Sequence, residues 1–379
     1  MKLALPTLLL ALAVVAPAQT PPAPPAAAPA SAFPEVLPDR RVTFRIAAPK
    51  ASEVTLTTDW LPTQKMEKGA DGTWSVTVGP LAPSSYIYSF TVDGIAMADP
   101  INPKMKLRAR TSASVFEVLA DKPALDELRD VPHGSVEMNW QKSTVIGGET
   151  RSFWVYTPPG YSQENARRYP VFYLFHGTND RPAGWIDVGN VNLILDNLIA
   201  DKKAVPMVVV MPYGHALPYG ARGGQGAGAR NNTTVFEDYL LKDVMPLVEA
   251  KYRVVADRQH RAVGGFSMGA EQSLSIFFRH LDLFSSIGAM APSGYRGFQT
   301  QHADLVADPK ATNAKIDLLW IGCGRQDPGH FSGSQQLVDA LVATHIQHQW
   351  HPVEGVHNHA FVRGQLLEIL PLLFRADGK

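Results

Sequence analysis

Arg261-Ala-Val-Gly-Gly-Phe-Ser267-Met-Gly-Ala-Glu-Gln272 reads as a short apolar strand that turns sharply into a helix. Ala262 to Phe266 is too short and too apolar for a surface helix, while Ala270 to His280 carries helical period. The turn between them is Gly265-Phe266-Ser267-Met268-Gly269. G-x-S-x-G arises by chance often, but here it falls between strand and helix. There, glycines let the backbone enter a strained turn that lifts the serine Oγ out at the sheet's carboxyl edge. The helix that follows aims free N–H groups and the positive end of its dipole at the same point. Ser267 is therefore the candidate nucleophile, and a serine hydroxyl at neutral pH needs a base.

Outward from this stretch, apolar runs recur at Val171 to Phe175, Met207 to Met211, Ile287 to Ala291 and Leu318 to Ile321. Segments of helical period such as Phe236 to Val248 and Gln335 to Val342 separate them. Continuous apolar strands alternating with helices predict a parallel sheet covered on both faces, a doubly wound α/β domain over 136–379. Ligands bind such sheets beyond the carboxyl ends of the strands. Two downstream residues stand there in the required chain order of serine, acid, histidine. Asp327 follows the strand ending Gly322-Cys323-Gly324, and His357 follows the strand-like Gln349 to Val353. Asp327 is expected to orient the imidazole and His357 to take the serine proton. Asp317 begins its strand, Asp339 lies in a helical run and Glu354 precedes the loop tip; His359 is the competitor to His357. The backbone N–H groups of Thr178, after Phe175-His176-Gly177, and of Met268 are the candidate oxyanion donors. His176 reads as a loop brace or a substrate contact, and Trp185, Tyr213 and Tyr295 as further candidate substrate contacts.

The chain ahead of this domain has a different texture. Met1-Lys2, an apolar run from Leu3 to Val15 and Ala16-Pro-Ala18 predict a cleaved export signal over 1–18, hence a periplasmic or extracellular protein. Residues 19–38 are Pro/Ala-rich and read as a linker. Over 39–118, Val42, Phe44 and Ile46, then Trp74, Val76 and Val78, then Tyr86, Tyr88 and Phe90 repeat a period of two, with Asp71-Gly72 and Asp93-Gly94 as turn signals. This predicts a small all-β sandwich, joined to the α/β domain by a linker over 119–135.

Composition excludes other classes. Of 379 residues, 35 are Lys or Arg and 35 are Asp or Glu. That balance gives no field for nucleic acid or anionic membrane, and no membrane span is expected in the mature chain. One cysteine, Cys323, rules out an intrachain disulfide and multi-cysteine metal sites, and fits an exported protein only as a buried thiol. No metal and no cofactor is expected.

With Phe175-His176-Gly177-Thr178, the Ser267 turn, Asp327 and Gly355-Val356-His357 in place, residues 135 to 375 resemble the esterase-D-like α/β-hydrolases, which include feruloyl, acetylxylan and enterochelin esterases. Family members often carry Gly-Gly-His, so Val356 departs from the pattern at the second glycine. Arg45-Ile-Ala-Ala-Pro49, Asp71-Gly-Thr-Trp74, Tyr86-x-Tyr-x-Phe90 and Asp99-Pro-x-Asn102 resemble the immunoglobulin-like (E-set) module that precedes glycogen-branching enzymes. The resemblance implies an exported serine esterase acting through an acyl-enzyme on feruloyl or acetyl esters of plant-wall polysaccharide. It implies polysaccharide contact through the N-terminal module as well, unless Trp74 and Tyr86 are sandwich core and the module instead shapes one wall of the esterase cleft. A siderophore-trilactone esterase and a carbohydrate-binding protein with an inactive hydrolase domain are the alternatives.

Overall fold

The computed structural model describes residues 34–164, 166–218, 231–293 and 297–375. The export signal, most of the linker expected over 19–38, and Tyr295 lie outside the described residues.

Eight strands form the larger sheet. They are β1 (Ser135–Lys142), β2 (Thr150–Thr157), β3 (Val171–Phe175), β4 (Val208–Pro212), β5 (Arg261–Phe266), β6 (Ser286–Met290), β7 (Leu318–Gly324) and β8 (Gln349–Val353). Their spatial order is β1-β2-β4-β3-β5-β6-β7-β8. β1, β2 and β4 pair antiparallel, and every pair from β4 through β8 is parallel. Every residue of β3, β5 and β7 is buried, because helices cover both faces. Alternate residues serve the two faces. Tyr173, Phe175 and Val263 pack with Leu274 and Phe277 of helix α2 (Met268–Arg279). Phe172, Leu174 and Trp320 pack with Ile194 and Leu198 of helix α1 (Val191–Ala200) and Phe361 and Leu366 of helix α4 (His359–Ile369). Helix α3 (Phe331–Ala343) contributes Leu337 and Leu341 to the first of these layers.

The N-terminal part is two antiparallel sheets. One orders Glu35–Val36, Val42–Ala47, Thr73–Val78 and Glu67–Lys68; the other orders Gln64–Lys65, Val54–Thr58, Ser84–Val92, Ser112–Val118 and Met105–Leu107. Phe44, Leu56, Trp74, Tyr88, Phe90 and Phe116 fill the core between them. Asp93 and Gly94, both at positive φ, turn Ser84–Val92 back into Ile95–Met97. Trp74 is core: its indole N–H donates to Ala48 O at 3.0 Å. Tyr86 stacks on Phe116 and its hydroxyl donates to Ala82 O. Neither ring forms an open platform for sugar.

The outer face of the second sheet does not end in solvent. Ile87, Ala113 and Val115 pack with Val188, which lies between β3 and α1. The segment between the two parts is strapped down as well. Asn197 Nδ2 of α1 donates to the carbonyls of Leu125 and Glu127 at 2.8 Å each. Arg363 of α4, 2% exposed, donates to Asp126 Oδ2, Val188 O, Ser84 Oγ and Ser85 O.

Candidate active site

Ser267 closes β5 at φ 56° and ψ −119°, a conformation L-residues rarely hold, and begins helix α2 as its N-cap. The flanking glycines make the turn feasible. A Cβ on Gly265 would stand 2.6 Å from Phe175 O and from the Gly269 carbonyl, and one on Gly269 would overlap the Phe175 backbone outright. With both absent, β3 and the start of α2 close on each other, and the hydroxyl emerges at the carboxyl edge of the sheet. Among the described residues, neither Thr178 N–H nor Met268 N–H donates to a backbone carbonyl.

β7 ends at Gly324, and the loop after it carries Asp327, whose side chain is 4% exposed. Its Oδ2 accepts from His357 Nδ1 at 2.6 Å, so the carboxylate and the imidazole expected from sequence meet. The Ser267 hydroxyl, however, has its imidazole contact with a different residue. Oγ lies 3.4 Å from Nε2 of His330, whose Nδ1 donates to Asp327 Oδ1 at 3.0 Å. The His330 and His357 rings stack at 3.8 Å with 12° between planes, and Phe266 covers the other side of His357 at 4.2 Å. His357 lines the cleft together with Ser267. Burial lowers its pKa, a charge on His330 lowers it further, and Asp327 pulls the other way.

Sequence reasoning passed over His330. The signal was present in Asp327-Pro-Gly-His330, where residues three apart across a turn into a helix come side by side. His359, the competitor for the base, is engaged elsewhere: its Nε2 donates to Asp180 Oδ2 at 3.0 Å, and burial holds its pKa down at about 4.

Of the expected substrate contacts, Trp185 and Tyr213 need correction, while His176 is the loop brace. His176 is 1% exposed. Its Nδ1 donates to Gly177 O at 2.8 Å and its Nε2 accepts from Gly214 N–H at 2.9 Å, so both nitrogens brace the loop and burial keeps the ring neutral, with a pKa of about 4. Trp185 is 4% exposed and belongs to the α1 face of the core. Tyr213 stacks on His176 and under the Arg151 guanidinium rather than facing the cleft. Cys323 is buried, and burial pushes its thiol up to about 11.

The far wall of the cleft comes from the sandwich. Asp59, Ile87, Lys106 and Arg108 line it opposite Ser267 and His357. Lys106, with a side chain 4% exposed, donates to Asp180 Oδ2 at 2.8 Å, on the loop that carries Thr178. Burial alone would raise the Asp180 carboxyl, but Lys106 and His359 hold it below the usual carboxylate range.

Asp327, His330 and His357 are also the one group among the described residues whose donor atoms approach closely enough to suggest a metal, within 4.8 Å of one another. The geometry fits a hydrogen-bonded triad better. Both Nδ1 atoms bond the carboxylate, and two rings 12° from parallel direct their Nε2 lone pairs side by side instead of at a common point. Among the described residues, no helix is long and apolar enough to cross a membrane.

Residues 143–373 match the family described as "Putative esterase". An endo-1,4-beta-xylanase/feruloyl esterase of Xylanibacter ruminicola is 28% identical over 346 residues, 89% of this chain and 45% of that protein. An esterase of Mycobacterium tuberculosis is 32% identical over 166 residues, 43% of this chain and 33% of that protein. The chain thus spans less than half the length of these curated relatives. Among solved structures, the enterochelin esterase of Shigella flexneri overlays with a TM-score of 0.65 at 18% identity, covering 88% of this chain and 92% of that one. A ferulic acid esterase of Anaeromyces mucronatus, solved with ferulic acid, overlays with a TM-score of 0.54 at 22% identity over 65% of this chain and 93% of that one. These two likenesses are of fold.

Proposed function

The chain belongs to the esterase family of α/β-hydrolases, and on that premise we propose a serine carboxylic-ester hydrolase that works through an acyl-enzyme on feruloyl or acetyl esters of plant-wall polysaccharide. The single observation that carries the chemistry is the hydroxyl of Ser267, raised on a strained turn beside imidazoles that one buried carboxylate holds.

In this reading Ser267 Oγ bonds to the ester carbonyl carbon as its proton passes to imidazole. The carbonyl's electron pair moves onto oxygen, where Thr178 and Met268 N–H stabilise it. Asp327 stabilises the imidazolium. His357, which lines the cleft, returns the proton to the departing alkoxide, and water then repeats the sequence to free the acid. The plant-wall assignment draws on the Xylanibacter ruminicola relative, whose name joins xylanase to feruloyl esterase and whose match covers 89% of this chain. Export is part of the proposal, on the strength of the charged and apolar start of the chain.

A siderophore trilactone is the second reading. Its support is the enterochelin esterase overlay, which extends across 88% of this chain and so takes in more than the α/β sheet. Release from methyl ferulate, acetylated xylan oligomer and enterobactin, compared on one preparation, separates the substrates. Ser267→Ala should keep the fold and lower p-nitrophenyl-ester turnover by on the order of 10⁴-fold or more. Turnover near that of the unaltered enzyme ends the proposal.

A further inference from the structure

We propose that His330 is a second catalytic imidazole, one that holds the Ser267 hydroxyl in the resting enzyme and can accept its proton through a Ser267–His330–Asp327 relay sharing its carboxylate with His357. The inference rests on the serine-esterase reading above and adds a base to it.

Three observations carry it. Ser267 Oγ has its imidazole contact with His330 Nε2, at 3.4 Å. His330 satisfies the orientation a base requires, since its Nδ1–H donates to Asp327 Oδ1 while that residue's backbone N–H reaches the same oxygen. The lone pair is thereby left on Nε2, facing the hydroxyl. Third, the other oxygen of Asp327 holds His357 in the same tautomer, and the stack Phe266, His357, His330 prevents either ring from turning away. A carboxylate has two acceptor oxygens, and here each orients one imidazole. One negative charge balances one imidazolium. The pair therefore works with a single added proton, and a charge on either ring discourages protonation of the other.

The two rings differ in what they reach. His357 lines the cleft, whereas His330 is the N-cap of α3 and reaches the Ser267 hydroxyl. In the step assigned to His330, the Oγ–H bond breaks and the proton goes to His330 Nε2, while Oγ bonds to the ester carbon, whose C=O pair moves onto oxygen, or to phosphorus, whose P–F pair leaves as fluoride. If the leaving group departs as a stable anion, no acid is needed and His330 suffices. If it departs as an alkoxide, the proton taken from Oγ must be given back within the cleft; on that path His357 itself takes the Oγ proton and returns it, and is required.

That difference gives the test. Labelling by a fluorophosphonate, whose fluoride leaves without a proton, reads the base step alone; hydrolysis of an alkyl ester reads base and acid together. Four variants of the full chain are compared: His330→Gln, His357→Gln, the double variant and Ser267→Ala. We expect His357→Gln to label within about 10²-fold of the unaltered enzyme while its alkyl-ester turnover falls by about 10⁴-fold. The double variant should label about 10²-fold more slowly again. If His357→Gln labels as slowly as the double variant, His330 is no base and the proposal fails. Labelling of Ser267→Ala at the original rate would instead sink the esterase reading on which it depends. Should a variant not fold, the unaltered protein still decides. With ¹⁵N-histidine it should show two low-field Nδ1–H resonances, both displaced when Ser267 is phosphonylated. Displacement of one alone overturns the proposal.

Discussion

Ser267 keeps a φ of 56° because the chain on either side leaves no roomier path. β3 and the first turn of α2 approach so closely that Gly269 has the Phe175 carbonyl where its Cβ would be. Gly269→Ala should therefore cost about 1–3 kcal/mol or more, since the whole strand must shift. It should lower activity as well by displacing the hydroxyl. Gly364, in α4 with nothing near its missing Cβ, is the control, and Gly364→Ala should gain about 0.5–1 kcal/mol. Urea unfolding of both variants checks the pair, and equal effects would count against the close approach. Ser267, Asp327 and His357 were legible in the sequence because each follows a parallel strand of one sheet, and strand ends converge on one rim in this fold. His330 was not, because the rule that finds a histidine after the last strand ignores the second oxygen of the carboxylate. That oxygen takes the nearest donor, three residues on. Trp185 and Tyr213 were misplaced for a related reason. An aromatic or imidazole beside a catalytic loop reads the same in sequence whether it faces substrate or braces the loop from behind.

The strand Met105–Leu107 shows how a short element can tie two layers together. Its flank carries Lys104, which pairs with Glu117 at 3.0 Å with side chains 60% and 44% exposed. Its middle carries Lys106, which pairs with Asp180 at 2.8 Å with side chains 4% and 10% exposed. The chemistry is the same and the surroundings are opposite. Lys104→Met should change stability by less than about 1 kcal/mol, because solvent screens the exposed pair. Lys106→Met leaves the Asp180 carboxylate buried beside His359 with its cation gone, and should cost about 3–5 kcal/mol. Denaturant unfolding of the two variants side by side measures the difference, and a small effect at Lys106 would show that water reaches Asp180. Val42–Ala47, Thr73–Val78 and Ser84–Val92 were readable from period and turn residues, Asp71-Gly72 and Asp93-Gly94 included. Met105–Leu107 was not, since three residues with a charge in the centre show no alternation. Only a partner from the other layer explains a lysine pointing inward, and that partner stands far away in the chain.

Taken together, the sandwich and the α/β sheet share one cleft and one set of buried ionisable groups, so acidity should act on both at once. Their separate natures could be read from the change of texture along the sequence, and a module walling the cleft was among the readings, but the faces that meet could not be named. His176 braces the loop of the α/β domain, and His359 stands between that loop and Lys106 of the sandwich. Both rings are held neutral by burial, with pKa values of about 4. In the unfolded chain a histidine takes its proton near pH 6.5. As pH falls through that value the unfolded state therefore binds protons that the folded state refuses, and folding loses free energy steadily until pH reaches about 4. Asp180 does not offset this. Its carboxyl is depressed below the ordinary range, so its contribution persists through the same window and is lost only in stronger acid. Stability should thus be level around neutral pH and fall by on the order of several kcal/mol between pH 6.5 and 4. Urea unfolding at half-unit steps of pH checks the window. His359→Asn, which keeps a donor for Asp180 without a titrating ring, should make the slope shallower. A curve that stays flat to pH 4 would mean that these imidazoles carry charge inside the fold.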